Sequence, residues 1–341
     1  MTFAQLSGQT GLRGIETSLE SISQSLYHLG VKQIKRSTLS YANNNRPNEI
    51  YENVFSNLLG NILSMKRKHK HKFKNPLYSI DASTIDLCLN LFPWADFRKN
   101  KGGIKLNVKL DHSGYIPTFV SVTTAKVHEL NSLRKMEFNT GDVITFDRGY
   151  NDFQLFATYC NEGIYFVTRL KKNADYTVIQ RKDVSSYKDI SSDQIIEMNG
   201  FYTSKKCPLK LRRIRSRDPE TGKYIVILTN NFSWAPTTIA AIYKDRWHIE
   251  IFFKTIKQNL KIKKFFGTSR NAVMTQIWIA LITFLLLQYL KMFSTRNWTH
   301  FSLMKLIPTI LTSRKDIWTV LNKPPPEGRI KKISTLQLAL L

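Results

Sequence analysis

The chain has 341 residues, of which 42% are hydrophobic and 12% aromatic; this composition supports a sizeable core and excludes a disordered basic tail. Its 51 Lys+Arg against 25 Asp+Glu give a formal net charge of +26. Such an excess of positive charge favours a polyanionic partner, with nucleic acid first, although a ribosome-associated or merely solubilised basic protein fits the charge equally well.

The cysteines and the amino-terminal residues indicate the cellular compartment of the protein. Cys88, Cys160 and Cys207 are isolated and have neither CxxC nor Cys/His ligand spacing, which argues against a zinc site and a disulfide framework. The first residues lack the basic start and apolar run of a signal peptide. We therefore expect a cytoplasmic protein.

Residues 15–64 are predicted to be helical. The first helix has apolar residues spaced near 3.6 and is expected to end at Gly30. Ser37 is expected to cap a second helix, and Pro47 is expected to open a third helix. Three basic residues lie at the first junction: Lys32, Lys35 and Arg36. The pattern is typical of a helix-turn-helix and equally of an ordinary three-helix packing module.

The basic run "MKRKHKHKFKN", residues 65–75, follows these helices. A run of this kind is either a solvated linker or a strap that contacts phosphates, and the two interpretations are compatible.

From residue 76 the pattern changes to a period of two, which predicts strands. The predicted segments are 77–89, a hairpin over 102–124 closed at 112–114, a short buried strand within 142–150, and 163–171. Residues 176–224 are more polar and basic, with strand-like pieces and a hairpin turn at 218–223. Because helices flank these strands, we predict a mixed sheet with a β-rich insertion.

A long helix is predicted after Pro236, which suits a first helical turn. At about 100° per residue, seven residues share one stripe of that helix: Tyr243, Arg246, Trp247, Glu250, Lys254, Lys257 and Lys261. The core-facing arc carries Ile249, Phe252, Phe253, Ile256 and Leu260.

Glu250 lies at the boundary between these two faces. Pairing of Glu250 with Arg246 and Lys254 at i,i+4 spacing would explain one Glu but not the surplus of cations. Arg and Lys interleaved with aromatic residues instead favour contact with a phosphodiester backbone and an unstacked base.

The segment 273–293 is long enough to cross a bilayer. Four polar residues interrupt it: Thr275, Gln276, Thr283 and Gln288. We therefore predict a buried helix in preference to a membrane span.

Two more carboxylates could act with Glu250. Asp81 lies within an apolar β-run, and Asp147 closes a strand just before Gly149. Cutting a phosphodiester requires divalent ions, which carboxylates hold within an electropositive groove. Other acids compete at expected element ends, where capping is ordinary: Asp86, Asp111 and Asp142. A buried Asp is equally often a satisfied hydrogen-bond acceptor.

Four residues match the spacing Tyr-x2-Arg-x3-Glu-x6-Lys: Tyr243, Arg246, Glu250 and Lys257. In addition, "SIDAST" around Asp81 and "DRGY" from Asp147 are similar to the two Asp segments of one family. Together these segments resemble the DDE transposases of the bacterial insertion-sequence group IS-four, over roughly residues 75–270.

The resemblance implies an α/β (α+β) architecture, with an RNase H-like mixed-sheet catalytic core over 75–270. It places a β-rich insertion at 176–224, before the last catalytic helix. Helical regions flank the core: 1–74, expected to bind the DNA end, and 271–341.

The resemblance also implies a site. Asp81, Asp147 and Glu250 would be catalytic and bind two Mg²⁺ or Mn²⁺ ions. By the same resemblance, Tyr243, Arg246 and Lys257 would contact the DNA end. Further DNA contacts, which the resemblance does not assign, are expected from Trp247, Lys254, Lys261 and Arg148. The partners would be double-stranded DNA, as terminal inverted repeats and target, and a second copy in a synaptic homodimer, within the bacterial cytoplasm at the nucleoid and without a membrane.

The reaction implied is cut-and-paste transposition: hydrolysis at the element's end, then attack of the freed 3′-hydroxyl on the opposite strand or the target. The sequence has no GxxxxGK loop, which agrees with an ATP-independent reaction. Two alternatives remain open: a metal-dependent endonuclease without strand transfer, and an inactive DNA-binding remnant.

Overall fold

The computed structural model describes residues 1–27, 33–65, 68–98, 101–199, 209–260, 262, 264–311, 313 and 315–322. The strands are β1 Leu77–Leu87, β2 Asp96–Arg98, β3 Lys101–Asp111, β4 Ile116–Thr124, β5 Val143–Phe146, β6 Tyr165–Arg169, β7 Tyr176–Lys182, β8 Ile190–Met198, β9 Leu211–Arg217 and β10 Tyr224–Thr229. The helices before the insertion are α1 Thr2–Leu6, α2 Leu12–Ser21, α3 Ser23–Leu26, α4 Arg36–Asn45, α5 Glu49–Ser64, α6 Glu129–Leu133 and α7 Phe153–Asn161. The later ones are α8 Pro236–Asp245, α9 Trp247–Lys254, a π-helical turn Thr255–Asn259, α10 Arg270–Phe293, α11 His300–Leu311 and α12 Ile317–Asn322.

Ten strands of the described chain form one mixed sheet. Its order is β2-β3-β1-β5-β6-β10-β9-β8-β7, with β4 also paired to β3. Strands β1, β3 and β4 are antiparallel, whereas β5 runs parallel to β1 and β6 parallel to β5. The order β4-β3-β1-β5-β6, three antiparallel strands followed by two parallel ones, is the RNase H topology, so the predicted fold class is confirmed.

The insertion continues the core sheet. Strands β7 to β10 are antiparallel to one another, and β10 pairs with β6 of the core. The predicted turn at 218–223 joins β9 to β10: the Asp218 amide bonds to the Lys223 carbonyl at 2.9 Å, and Gly222 has a φ of +69°. The boundary between the insertion and the core is therefore only a change of strand direction within one sheet.

Both faces of the sheet are covered. On one face Phe146 and Phe166 pack against Phe156 of α7. On the other face, Val143 and neighbouring apolar residues pack against Ile239 and Ile242 of α8. These two faces matter for the site because alternate residues of each strand point to opposite sides.

Helix α10 is the apolar segment for which a membrane span was the alternative. It has the length and composition of a span, but 78% of its most apolar window is buried within the protein. Three of the four interrupting residues are bonded internally. Gln276 accepts from the Phe266 amide at 3.0 Å and donates to the Lys264 carbonyl at 2.7 Å, Thr283 donates to the Ile279 carbonyl, and Gln288 donates to the Gly114 carbonyl. This is the environment of a core helix.

The amino-terminal helices differ from the prediction in detail. Helix α4 begins at Arg36, and its amide donates to the Glu16 carboxylate at 3.0 Å, so the prediction that Ser37 caps this helix was wrong. A tertiary contact from α2 supplies the acceptor that the sequence pattern assigned to Ser37. Gly30 and Lys32 lie outside the described residues.

The predicted single helix through the signature is broken twice. At Arg246 the amide bonds to the carbonyl three residues back, on Tyr243, which ends α8 with a tight turn. After Lys254 the chain widens into the π turn, where the Leu260 amide bonds to the Thr255 carbonyl at 3.0 Å. The seven-residue stripe was therefore wrong as a geometric prediction, because it assumed uniform α-helical rotation.

Candidate active site

Two parallel strands bring the predicted aspartates together. The β1–β5 register runs from Leu77 opposite Val143 to Ile80 opposite Phe146. Continued by one residue, it sets Asp81 opposite Asp147, at the usual strand spacing of about 4.8 Å. Because Ile80 and Phe146 point into the α7 side of the core, the two aspartates point to the side covered by α8 and α9.

Helix α9 brings Glu250 to the same place. It packs against β1 through a buried apolar face, in which Ile249 and Phe252 are almost fully inaccessible. The Arg246 guanidinium lies 3.6 Å from the Asp81 carboxylate and 2.5 Å from that of Glu250. The structure thus connects the first and third predicted carboxylates through one cation.

Tyr243 contacts the second aspartate, Asp147. Tyr243 is buried at the end of α8, and its hydroxyl donates to Asp147 at 3.4 Å. Tyr243, Arg246 and Glu250 therefore converge on the two aspartates even though the helix that was expected to align them is broken.

The electrostatics at Asp81 are dominated by burial. The pKa of Asp81 is raised to about 6, chiefly by burial, and the nearby carboxylates of Glu129 and Glu250 raise it further. The Ala82 amide and Arg246 act in the opposite direction and lower this pKa. Asp81 therefore lies in an environment with too little positive charge for a buried carboxylate, even with Arg246 beside it.

The carboxylates of the site are candidate ligands for a divalent cation. Within the described ranges, no three His, Cys, Asp or Glu side chains stand close enough to one another to hold an ion directly. Arg246 instead lies between Asp81 and Glu250 and supplies the positive charge that a cation would supply. Carboxylate oxygens are the donors that Mg²⁺ and Mn²⁺ prefer, so the donor set fits such ions once Arg246 is displaced.

The Arg246 side chain also carries a hydrogen-bond donor without an acceptor in the described part of the chain. Its Nε is buried and has no hydrogen-bond partner in the part of the chain that the structure describes. A buried donor left unpaired costs free energy and is a feature of sites that await a ligand.

The other predicted DNA contacts are dispersed. Lys257, in the π turn, donates to the Thr84 carbonyl of β1. Trp247 is 60% exposed, and Lys254 and Arg148 are also exposed. Lys261 lies outside the described residues. The structure therefore gathers Tyr243 and Arg246 at the carboxylates and leaves Trp247, Lys254 and Arg148 facing solvent.

Two lysines beside Asp147 were not among the residues predicted from the sequence. A cleft of about 380 Å³ is lined by Asp147, Arg148, Gly149, Lys171, Lys172 and Asn173. Lys171 and Lys172 follow β6, which is parallel to β5, so the carboxyl ends of both strands meet at one edge of the sheet. The signal was present in "RLKKN" after a predicted strand, but using it required knowing that β5 and β6 are parallel neighbours.

Glu129 was also missed. It opens α6, lies 3.4 Å from Lys105 of β3, and is close enough to Asp81 to raise the pKa of that carboxyl. Its local sequence does not distinguish it from an ordinary Glu in the first turn of a helix, where this residue type is frequent.

The fold and the site together define a class: an enzyme of phosphodiester chemistry with an RNase H-like core, in which two strand aspartates face a glutamate on a later helix. The sequence matches the family described as "Transposase DDE domain" over residues 72–286, more than half of the chain, and this chain belongs to that family. A second match, to a "Domain of unknown function (DUF4372)", covers residues 1–32.

Two relatives identified by sequence agree with this assignment. The chain is 29% identical over 291 residues to a "Putative transposase y4zB" of Sinorhizobium fredii, covering 84% of this chain and 80% of the relative. It is 28% identical over 265 residues to a "Probable transposase for insertion sequence element IS5377" of Geobacillus stearothermophilus, covering 76% and 68%. A cryo-EM structure of a piggyBac transposase synaptic complex with hairpin DNA is 13% identical with a TM-score of 0.40, covering 70% of this chain and 52% of that one.

The predicted family is thereby confirmed, and with it DNA transposition as the function and nuclease and transesterification chemistry as the activity. The assignment of individual catalytic residues stays a prediction.

Proposed function

We propose that the protein is the transposase of an insertion sequence, which cleaves DNA at the element's terminal inverted repeats and joins the freed ends to target DNA. Asp81, Asp147 and Glu250 are its catalytic carboxylates. The observation that carries the proposal is the convergence of these three side chains on Arg246 and Tyr243, within the catalytic fold of the family.

The three carboxylates would hold two Mg²⁺ or Mn²⁺ ions, which at such sites activate the attacking oxygen and neutralise charge on the leaving oxygen. Asp81 suits this role at neutral pH, because a carboxyl with a pKa of about 6 is then mostly ionised. Arg246 would exchange its carboxylate partners for phosphate oxygens when the ions bind, and its unpaired Nε offers a further donor. Charge developing on the phosphate would thus meet a preorganised cation.

The DNA path is proposed from exposed basic and aromatic groups near the carboxylates. Arg148, Lys171 and Lys172 line the cleft beside Asp147 and would contact backbone phosphates. Trp247 would stack against an unpaired base at the cut end, since its indole is largely exposed.

The regions around the core receive proposed roles as well. Residues 1–74 would bind the DNA end, residues 75–270 would catalyse, and residues 271–341 would cover the core. The enzyme would act as a homodimer that holds two element ends in the bacterial cytoplasm.

The test uses the full chain, labelled terminal-repeat DNA and a target plasmid with Mg²⁺. Labelled ends joined to the plasmid are the expected product. Nicked or cut repeats without joined product would overturn strand transfer and leave an endonuclease; binding without any cleavage would indicate an inactive remnant.

A further inference from the structure

The basic run predicted as a linker or a strap has two different sides. Between residues 68 and 74 the exposed positions alternate with covered ones. The exposed side chains are Lys68, Lys70, Lys72 and Lys74, and the covered ones are His69, His71 and Phe73. We call residues 68–74 the lysine strap.

The covered side is attached to α8 and to the segment just before it. His71 donates to the Asp245 carboxylate at 2.7 Å, and both side chains are less than a tenth exposed. Phe73 stacks on Trp234 with a centroid distance of 4.3 Å and an interplanar angle of 19°. A solvated linker would not require these contacts, so the strap has a defined position on the catalytic core.

The acceptor in this attachment depends on the strap. Asp245 ends α8, where the helix dipole disfavours an anion. Burial also opposes its charge, but hydrogen bonds from His71 and Lys70 lower the pKa of Asp245 to about 2. The strap thus supplies the hydrogen-bond donors that keep a buried carboxylate ionised at this helix end.

The attachment also fixes where the strap lies. Asp245 directly precedes Arg246, which contacts Asp81 and Glu250, and the strap itself leads into β1, the strand of Asp81. The strap is therefore attached to the two chain segments that lead directly into Arg246 and Asp81.

The outer side of the strap is a row of lysines, most of which have no nearby carboxylate in the described chain. Lys70 pairs with Asp245, but in the described chain no carboxylate lies within ion-pair distance of Lys68, Lys72 or Lys74. Clustered, exposed and unpaired lysines are the groups that displace condensed counterions from nucleic acid.

We propose that the lysine strap is a DNA-contacting surface, in which Lys68, Lys72 and Lys74 bind backbone phosphates of the duplex next to the catalytic site. His71 and Phe73 hold the strap in position for this contact. The inference rests on the proposed function, because it presumes that duplex DNA enters the site bordered by Arg246.

The test compares two triple variants that each remove three positive charges. Lys68→Gln/Lys72→Gln/Lys74→Gln alters the strap, and Lys188→Gln/Lys305→Gln/Lys315→Gln alters exposed lysines elsewhere. Affinity for terminal-repeat duplex is measured by fluorescence anisotropy across a salt series. Each lost phosphate contact lowers the slope of log K against log salt by about 0.9, so we expect a decrease of about 2 to 3 for the strap variant and an unchanged slope for the control.

Equal slopes for the strap variant and the wild type would overturn the proposal, and so would an equal decrease in the control variant. A second measurement uses the unaltered chain: DNA should protect Lys72 and Lys74, but not Lys305 and Lys315, from acetylation read by mass spectrometry. Cleavage by the wild type is scored on the same duplex. If it cleaves while the strap lysines stay unprotected, the strap proposal fails alone; if it neither binds nor cleaves, the proposed function fails.

Discussion

At the residue scale, Arg246 is the side chain on which the site converges. Its guanidinium joins Asp81 to Glu250, and its Nε is buried without a partner in the described part of the protein. An arginine presents several donors in a fixed planar fork, so it can exchange carboxylate partners for phosphate oxygens without losing its geometry. A lysine would not substitute for it here.

The role of Glu250 is testable by a change that preserves shape. Glu250→Gln removes one anionic oxygen donor, so cleavage should fall at least about 100-fold, since even outer-shell changes at metal sites cost 10- to 100-fold. DNA affinity should change little. Strand cleavage and anisotropy on the same repeat duplex separate the two effects.

Glu220→Gln is the matched control, because Glu220 is exposed and pairs with Lys244, which is not part of the proposed site. It should cleave like the wild type. Full cleavage by Glu250→Gln would remove Glu250 from the catalytic set.

Trp247 should contribute to DNA binding and not to the fold. Because its side chain is 60% exposed, Trp247→Ala should change the free energy of unfolding by less than about 0.5 kcal/mol. Affinity for repeat DNA with an unpaired end should fall by about 1–3 kcal/mol, the contribution of one base stacked on an aromatic ring.

Trp247→Phe, which keeps an aromatic face, should retain most of the affinity. If the alanine and phenylalanine variants bind the unpaired end equally well, stacking on this side chain is not part of the complex.

At the element scale, the π turn decides where Lys257 points. The turn follows α9 directly and directs the Lys257 amine to the Thr84 carbonyl on β1. Single π turns are rare and occur frequently at functional sites. The signature's spacing is therefore realised across two helices and a π turn, and its last member contacts the catalytic strand.

A buried ion pair joins the insertion to the helix that carries Tyr243. Arg212 of β9 bonds through two nitrogens to Asp193 of β8, at 2.9 and 2.6 Å, and also donates to the carbonyls of Asn231 and Trp234 just before α8. Both side chains are almost fully buried. The pair ties two insertion strands to the start of α8.

Asp193→Asn should destabilise the protein by about 3–5 kcal/mol, because it leaves a buried guanidinium without its counter-charge. Urea unfolding monitored by tryptophan fluorescence measures the effect. Asp96→Asn is the control at the exposed pair with Lys126 and should cost at most about 1 kcal/mol. Similar values for the two variants would contradict a structural role for the buried pair.

Secondary structure was predictable where the pattern is local. The alternation around Asp81, the turn before β10 and Pro236 at the start of α8 all appear in the structure. The breaks at Arg246 and Thr255 were not predictable from periodicity, because helical spacing assumes constant rotation per residue. Packing of α8 and α9 against different parts of the sheet imposes the change.

At the scale of the whole molecule, stability depends on histidines that are buried in the neutral form. His112 is 3% exposed and shares a hydrogen bond of 2.7 Å with the Ser79 hydroxyl. Burial lowers its pKa to about 3, against about 6.5 for an unfolded histidine. The unfolded chain therefore binds a proton below about pH 6.5 that the folded chain binds only near pH 3, so stability falls as the pH drops through this window.

Between pH 7 and pH 5 the wild type should lose about 2 kcal/mol more unfolding free energy than His112→Gln, which has no proton to bind at that position. Urea unfolding at both pH values gives the two differences. Parallel pH profiles for the two proteins would show that His112 is not held neutral by the fold.

The net charge of +26, the signature of Tyr243, Arg246, Glu250 and Lys257 and the two aspartate segments are properties of the sequence by itself. Together they already indicated a polyanion partner and the family. Their information is local: residue type, spacing and strand periodicity. Only the tertiary structure decided that β1 and β5 pair in parallel up to the residues just before Asp81 and Asp147, and that Arg246 bridges Asp81 to Glu250. It also decided that Lys171 and Lys172 lie beside Asp147. It also decided that the basic run is attached through His71 and Phe73. The physical reason is that strand register and helix packing join residues that are far apart in the chain, such as His71 and Asp245, which are 174 positions apart. No local pattern records which distant groups will share a desolvated space.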